Sequence, residues 1–266
     1  MIVEPSGGQY EAALHICGTD CRDWTSWRSS IGSRQTWKAV CSVMLVCNCI
    51  WYLSAVRDSV ALLTTGVVFM FKLLTEIWGQ DTPTWACPGS CQLFILVYVV
   101  GIPSIVYLMG SCRVQDVDFP YRELVAITLY LFGSAFSLSY EVHRFLWKAR
   151  AENKGRLHTI GHARLCMHPN YFGDLFTYTG WALAVGTRCA LSLGPAQLCY
   201  LIFLVIPNSD AYLARRYPSD FPAYAASTAS LIPGLRSRAL SILLAWAGLV
   251  ASLYLQMSCM TACGMR

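Results

Sequence analysis

The feature that most constrains the fold of this chain is a series of apolar runs, most of them close to twenty residues long. A helix needs about 20 residues to cross the ~30 Å hydrocarbon core of a bilayer. Six runs fit this requirement, and a seventh, 194–208, is shorter: the full set is 38–56, 59–78, 91–110, 122–140, 171–190, 194–208 and 239–257. Only 13% of the residues are charged, whereas 55% are hydrophobic, which exceeds what the core of a soluble domain needs. We therefore expect an all-α, multi-pass transmembrane helix bundle of about seven spans.

Three regions follow from this pattern. Residues 1–36 form a polar N-terminal segment, 37–120 the N-terminal transmembrane helices and 121–258 a C-terminal transmembrane domain. Polar and ionisable residues at the edges of the runs become denser after residue 122, and such groups near a membrane usually face a cavity or a partner. Function is therefore expected mainly in the C-terminal domain. The shortest run opens with Gly194-Pro195 and closes with Pro207-Asn208, which predicts a helix boundary at each end.

Basic residues are concentrated on one side of the predicted bundle. The N-terminal residues up to Lys38, the loop 141–170 and the loop 209–238 together carry 14 of the 20 Lys and Arg. The positive-inside rule places these segments in the cytosol, with the N-terminus inside, and in a eukaryote the endoplasmic reticulum is the expected membrane. The first 35 or so residues lack the apolar core of a signal peptide. This localised charge suits membrane lipids or a phosphate-bearing ligand, and nucleic acid is not expected as a partner.

The stretch HPNYFGDL, residues 168–175, places polar side chains where a long apolar run begins. Asn170 and Asp174 are four residues apart and therefore share a face of a helix that starts near Pro169. The Asn carboxamide can pair with another carboxamide, such as that of nicotinamide, and the carboxylate can accept from a ribose diol. The alternative is that Asn170 caps the helix and Asp174 complements its dipole.

The preceding loop, YEVHRFLWKARAENKGRLHTIGHARLCMH, is rich in basic and histidine side chains. Glu141 and Lys148 are seven residues apart, on one helix face. The cations Arg144, Lys148, Arg156 and Arg164 could contact the phosphates of a dinucleotide, or could reflect only the positive-inside bias. His158, His162, His168 and Cys166 are possible metal ligands, but Gly161 and Pro169 interrupt a regular helix through them and no acidic ligand is near, so no metal site is expected. No dinucleotide-binding glycine motif or P-loop is present.

Three segments resemble the steroid 5α-reductase superfamily. They are RFLWKARAENKGRLHTIG, LCMHPNYFGDLFTYTGWAL and DAYLARRYPSDFPAYAASTASLIPG, which occur in the family's order and cover roughly residues 135–235. The chain looks most similar to membrane proteins that carry the family's C-terminal domain, with its HPNYFGE/D motif. One departure is Met167, where Arg commonly precedes His-Pro in these relatives. The first 120 residues match no motif of the family.

The resemblance implies a seven-span bundle that uses NADPH to reduce a carbon–carbon double bond, with the cofactor in a cytosol-facing cavity. By motif, Asn170 would contact the nicotinamide or ribose, and Asp174 the adjoining polar groups. Lys148 and Arg156, together with Arg164, would contact phosphates. Glu141 would lie beside them on the same helix, and Tyr212 would line the far wall.

The substrate implied is lipophilic and enone-like: a steroid, sterol, fatty or isoprenoid compound. A proton donor is also required, and Glu76 and Tyr178 are the candidates, although core packing is the role that better suits Tyr178. One alternative is a membrane methyltransferase of the isoprenylcysteine or phospholipid type that uses S-adenosylmethionine. Another is a non-catalytic, lipid-binding relative. The sequence makes no prediction of the oligomeric state.

Overall fold

The computed structural model of the chain describes residues 31–56, 59–79, 117 and 119–262. These residues are mostly helical and include no β-strand, so the all-α prediction is confirmed for them. The helices are α1 (Ile31–Ala55), α2 (Val60–Gly79), α3 (Arg122–Ala149), α4 (Pro169–Val185), α5 (Ala190–Arg216), α6 (Phe221–Ser227) and α7 (Arg238–Ala262). Two short 3₁₀ turns, Ala151–Asn153 and Gly161–Arg164, lie between α3 and α4.

Three of these helices are long and apolar enough to cross a membrane: α3, α5 and the Arg238–Ser258 part of α7. Lys38–Ser54 and Val60–Thr75 are shorter apolar helices. Large apolar side chains such as Leu243, Trp246 and Val250 are exposed on α7, as is typical of a helix that faces lipid. These features are consistent with an integral membrane protein. The predicted run 91–110 lies outside the described residues.

The helices do not end where the apolar runs end. α3 continues to Ala149, nine residues beyond the apolar run that ends at 140, and so includes the predicted common face of Glu141 and Lys148. No Gly or Pro interrupts residues 134–154, and polar residues carry the helix past its apolar part. α4 ends at Val185 instead of 190, because Gly186 adopts a left-handed conformation with φ of 74° and terminates it.

The boundary expected at Pro207 is also wrong. α5 passes through this proline and continues to Arg216. A proline inside a helix lacks an N–H and crowds the carbonyl four residues earlier, here that of Phe203. The segment Leu201–Val205 forms a π-helix, whose wider turn relieves this crowding. The helix therefore continues, and residues 208–216 become part of the folded unit.

The described residues divide into two units, 31–56 with 66–79, and 59–65 with 117–262. In the first, α1 packs against the second part of α2. A Cβ added to Gly66 would lie 2.8 Å from the ring of Tyr52, and the indole N–H of Trp78 donates to Ser42 Oγ at 2.9 Å. The glycine therefore permits a close approach of the two helices.

In the second unit, α3 and α4 form an antiparallel hairpin with a seam of small residues. A Cβ added to Gly173 would lie 2.7 Å from the Gly133 carbonyl oxygen, and one added to Gly180 would lie 2.6 Å from the Tyr130 nitrogen. Only glycine allows this backbone proximity, which is a common way for helices to pack in a membrane. The two glycines of α4 are seven residues apart, so they lie on one face. We call these contacts the glycine seam.

At the end of this hairpin where α3 ends and α4 begins, the segments 150–168 and 217–235 pack over the helix ends. Their buried side chains form a cluster with α3 that comprises Tyr140, Leu157, Ala163, Met167, Tyr217, Phe221 and Tyr224. Met167 is 5% exposed within this cluster. Its backbone N–H donates to the Ala229 carbonyl at 2.8 Å. These two segments therefore hold the start of α4 in place.

Candidate functional site

The HPNY stretch forms the start of α4. His168 occupies the N-cap position and Pro169 the first helical position, where proline is well tolerated. The alternative that Asn170 caps the helix is therefore wrong, since Asn170 is the second residue of the helix. The backbone N–H of His168 donates to the Ser230 carbonyl at 3.2 Å, which fixes the chain where it enters α4.

Two side chains of this stretch contact consecutive residues of α5. The Nε2–H of His168 donates to Asp210 Oδ1 at 2.9 Å, and His168 is 5% exposed. The hydroxyl of Tyr171 hydrogen-bonds Ser209 Oγ at 3.2 Å. The rings of His168 and Tyr171 stack with centroids 5.3 Å apart. Sequence analysis missed both contacts, although Asp210, an ionisable residue beside an apolar run, was the available signal.

The predicted pair Asn170 and Asp174 lies on one row of α4, which continues to Tyr178, and all three residues are half-buried. Residues four apart differ by only about 40° around a helix, so the side chains of this row leave α4 in similar directions. Asp174 is within electrostatic range of the Tyr171 hydroxyl. Asn170, by contrast, makes no side-chain hydrogen bond to any described residue. Tyr212 is half-buried on α5, two residues after Asp210.

Two other predicted cofactor residues, Glu141 and Lys148, have protein partners. Glu141 accepts from Arg144, whose Nε lies 3.1 Å from Oε2, and the Glu141 side chain is 13% exposed. Lys148 Nζ donates to the Tyr217 hydroxyl at 2.5 Å and lies 5.0 Å from the centre of that ring. Each of these two side chains is therefore already paired with another side chain of the protein.

Arg156 and Arg164 line a common open cleft of about 730 Å³. The cleft also contains the indole of Trp147, the carboxylate of Asp220 and the hydroxyl of Ser227. Two guanidinium groups beside hydroxyls and an aromatic ring suit a phosphate-bearing ligand. Neither Asn170 nor Lys148 lines this cleft.

The histidines of the basic loop form an aromatic cluster with α3. His158 is 4% exposed, and neither ring nitrogen has a hydrogen-bond partner among the described residues. Its ring contacts those of His143 and Trp147 at 5.2 and 5.1 Å between centroids. Burial, reinforced by His143, Arg144, Lys148 and His162, lowers the pKa of His158 to about 4.

By residue type, the histidines of this loop are also possible metal ligands. Within the part of the chain that the structure describes, no three His, Cys, Asp or Glu side chains are placed to hold a metal ion. His168 hydrogen-bonds Asp210, whereas His158 and His162 lie against aromatic rings of α3.

The two proton-donor candidates lie on different helices. Glu76 is near the end of α2, in the first unit, and the placement of its side chain is outside what the structure describes. Tyr178 is in the second unit, on the same row of α4 as Asn170.

Comparison with known proteins identifies the family. No curated protein and no solved structure matches the chain. A family model described as "Protein of unknown function (DUF1295)" matches residues 29–228, about three quarters of the chain. The match includes the HPNY stretch, the basic loop, Ser209 and Asp210. The chain therefore belongs to the DUF1295 family.

Proposed function

We propose that this protein is a membrane-embedded reductase, of the steroid 5α-reductase type, that uses NADPH to reduce a carbon–carbon double bond in a lipophilic, enone-like substrate. The observation that carries the proposal is the half-buried carboxamide of Asn170, which has no hydrogen-bond partner among the described residues. Because Asn170 is only half-buried, a ligand can reach this carboxamide. A ligand with complementary donors and acceptors would pair this one.

The chemistry of the neighbouring residues fits a dinucleotide in part. The carboxamide of Asn170 complements that of nicotinamide, and Asp174 and Tyr212 are suited to the ribose and the opposite wall. Arg156 and Arg164 offer guanidinium groups to phosphates from one cleft. Lys148 and Glu141 fit less directly, because each is already paired, so we propose that they shape the site through Tyr217 and Arg144.

NADPH would supply the hydride to the β-carbon of the substrate. The residues of the chain would hold the nicotinamide ring against that carbon, exclude water and deliver a proton to the oxygen or α-carbon. Tyr178, on the row of Asn170 and Asp174, is one proposed donor, and Glu76 is the other. An apolar substrate would enter from the lipid between the helices.

The proposed orientation places the N-terminus and the basic segments 141–170 and 209–238 in the cytosol, where NADPH is available. In a eukaryotic cell the membrane would be the endoplasmic reticulum. Arg156, Arg164 and Arg215 in these segments are exposed, as the positive-inside rule expects of cytosolic loops.

The test is thermal stability of the purified protein in lipid nanodiscs with NADPH, NADH or S-adenosylmethionine. NADPH should raise the melting temperature most, because its 2′-phosphate adds charge-assisted hydrogen bonds to arginine. The preference over NADH should shrink as salt is raised. Stabilisation by S-adenosylmethionine alone would favour the methyltransferase alternative, and no response to any of the three would favour a non-catalytic lipid-binding role.

A further inference from the structure

The two contacts between α4 and α5 define how the start of α4 is rotated. His168 and Tyr171 are one helical turn apart, and each hydrogen-bonds one of two adjacent residues, Asp210 and Ser209. The backbone just before this turn is also held, because the N–H groups of Met167 and His168 donate to the carbonyls of Ala229 and Ser230. Two contacts on the same side, one turn apart, fix the rotation.

We propose that His168 and Asp210 are positioning residues that aim the Asn170 carboxamide at the bound dinucleotide. This inference rests on the proposed NADPH function. Asn170 lies between His168 and Tyr171 in sequence, but about 100° away from Tyr171 around the helix. When the flanking residues are held against α5, the Asn170 side chain is held on the adjacent face.

The burial of the pair supports a positioning role. His168 is 5% exposed and the Asp210 side chain 14% exposed. Placing a carboxylate and an imidazole there costs solvation free energy that two apolar side chains would not. Unlike an apolar contact, the hydrogen bond between them has a direction, so it defines one orientation. The second Asp210 oxygen is 3.5 Å from Arg238, an exposed side chain, and such a pair adds little.

A double-mutant cycle on NADPH affinity tests the proposal. Asp210→Ala should weaken NADPH binding about tenfold in the wild-type background, because the carboxamide is no longer held in position. In an Asn170→Ala background the same substitution should have almost no further effect, because the group that it positions is gone. Asp210→Asn keeps an acceptor for the His168 Nε2–H and should bind NADPH within about threefold of wild type. Glu152→Ala, which removes an exposed carboxylate elsewhere, is the control.

Independent losses would overturn the proposal: if Asp210→Ala weakens NADPH binding equally with and without the Asn170 side chain, the pair does not act through Asn170. Should Asp210→Ala not fold, Tyr171→Phe removes only the hydrogen bond to Ser209 and keeps the stacked ring. Tyr171→Phe should weaken NADPH binding less than Asp210→Ala would, and this loss should again almost disappear in the Asn170→Ala background.

Hydrogen exchange separates this inference from the proposed function. In the ligand-free protein, Asp210→Ala should speed amide exchange in residues 172–174, whose N–H groups are the first in α4 with helical acceptors, and leave the middle of α4 unchanged. This result together with no NADPH binding by the wild type would refute the proposed function and retain the positioning of α4. Unchanged exchange in 172–174 would refute the positioning whether or not NADPH binds.

Discussion

Asn170 is the second residue of α4, which separates two roles that its side chain could have. His168 holds the N-cap position, so truncating Asn170 should not remove a cap, whose loss costs about 1 kcal/mol. We expect Asn170→Ala and Asn170→Ser to melt near the wild-type temperature. Both should bind NADPH about tenfold to a hundredfold more weakly, since an unpaired polar group costs about 1–3 kcal/mol. Titration of NADPH into each purified variant measures this, and wild-type affinity in both would exclude a cofactor role.

His158 should make the protein sensitive to acid. Its pKa falls from 6.5 to about 4 in the folded chain, mainly through burial, so the unfolded chain takes up the proton first. The free energy of unfolding is therefore unaffected by this group above pH 6.5. It decreases as the pH falls from 6.5 towards 4, by up to about 3 kcal/mol. Melting temperatures between pH 7.5 and 4.5 should show this decline.

His158→Phe is the matched variant for that experiment, because a phenyl ring retains contacts with His143 and Trp147 and cannot be protonated. Its acid-induced decline should be smaller than that of wild type. The remainder reflects groups such as His162, whose pKa is also lowered by burial and by His143. An equally steep decline in the variant would show that His158 does not cause the sensitivity.

For single residues, the sequence predicted neighbours along a helix better than contacts between residues far apart in the chain. The common face of Asn170 and Asp174 follows from helical spacing alone. The hydrogen bond between Lys148 and Tyr217 joins residues 69 positions apart. Which tyrosine reaches that lysine depends on how the segment after α5 folds back, and no local pattern encodes this.

Among the helices, the glycine seam leads to a prediction about stability. Gly173→Ala places a methyl group 2.7 Å from the Gly133 carbonyl oxygen and 2.9 Å from Ser137 Cβ. The backbones must separate, and overpacking of this kind typically costs about 1–3 kcal/mol. A lower melting temperature is expected in lipid nanodiscs.

Gly248→Ala in α7 is the control for this substitution. Its nearest contact would be the Pro195 carbonyl oxygen at 3.4 Å, an ordinary van der Waals distance. Because alanine favours a helix over glycine by about 0.8–1 kcal/mol, the variant should melt at or above the wild-type temperature. If both substitutions lower the melting temperature equally, close packing at the seam is not the cause.

The helices themselves were largely predictable, because apolar runs of this length have few alternatives to helix. Their ends were less predictable. Pro207 is normally a stop signal, and only the π-helix at Leu201–Val205 allows α5 to continue. The polar continuation of α3 to Ala149 has no apolar signal, so the end of the apolar run at 140 does not mark the end of the helix.

For the whole molecule, the hairpin of α3 and α4 makes topology testable with a matched pair of labels. Lys154 follows α3 and Arg188 follows α4, so they lie at opposite ends of the hairpin, and both are exposed. In sealed vesicles, an impermeant maleimide added from the cytosolic side should label Lys154→Cys above the wild-type background. Arg188→Cys should be labelled only from the other side. The reverse pattern would invert the proposed orientation.

The glycine seam also implies an order of assembly during synthesis. Its two helices are adjacent in the chain, so the hairpin can close once residue 185 has left the ribosome. Ser209 and Asp210 are 38 and 42 positions beyond their partners Tyr171 and His168. A nascent chain halted before α5 is complete would therefore contain a finished hairpin whose first turn of α4 is not yet anchored. The membrane would receive the scaffold first, and the orientation of Asn170 would be set only when translation reaches the later helix.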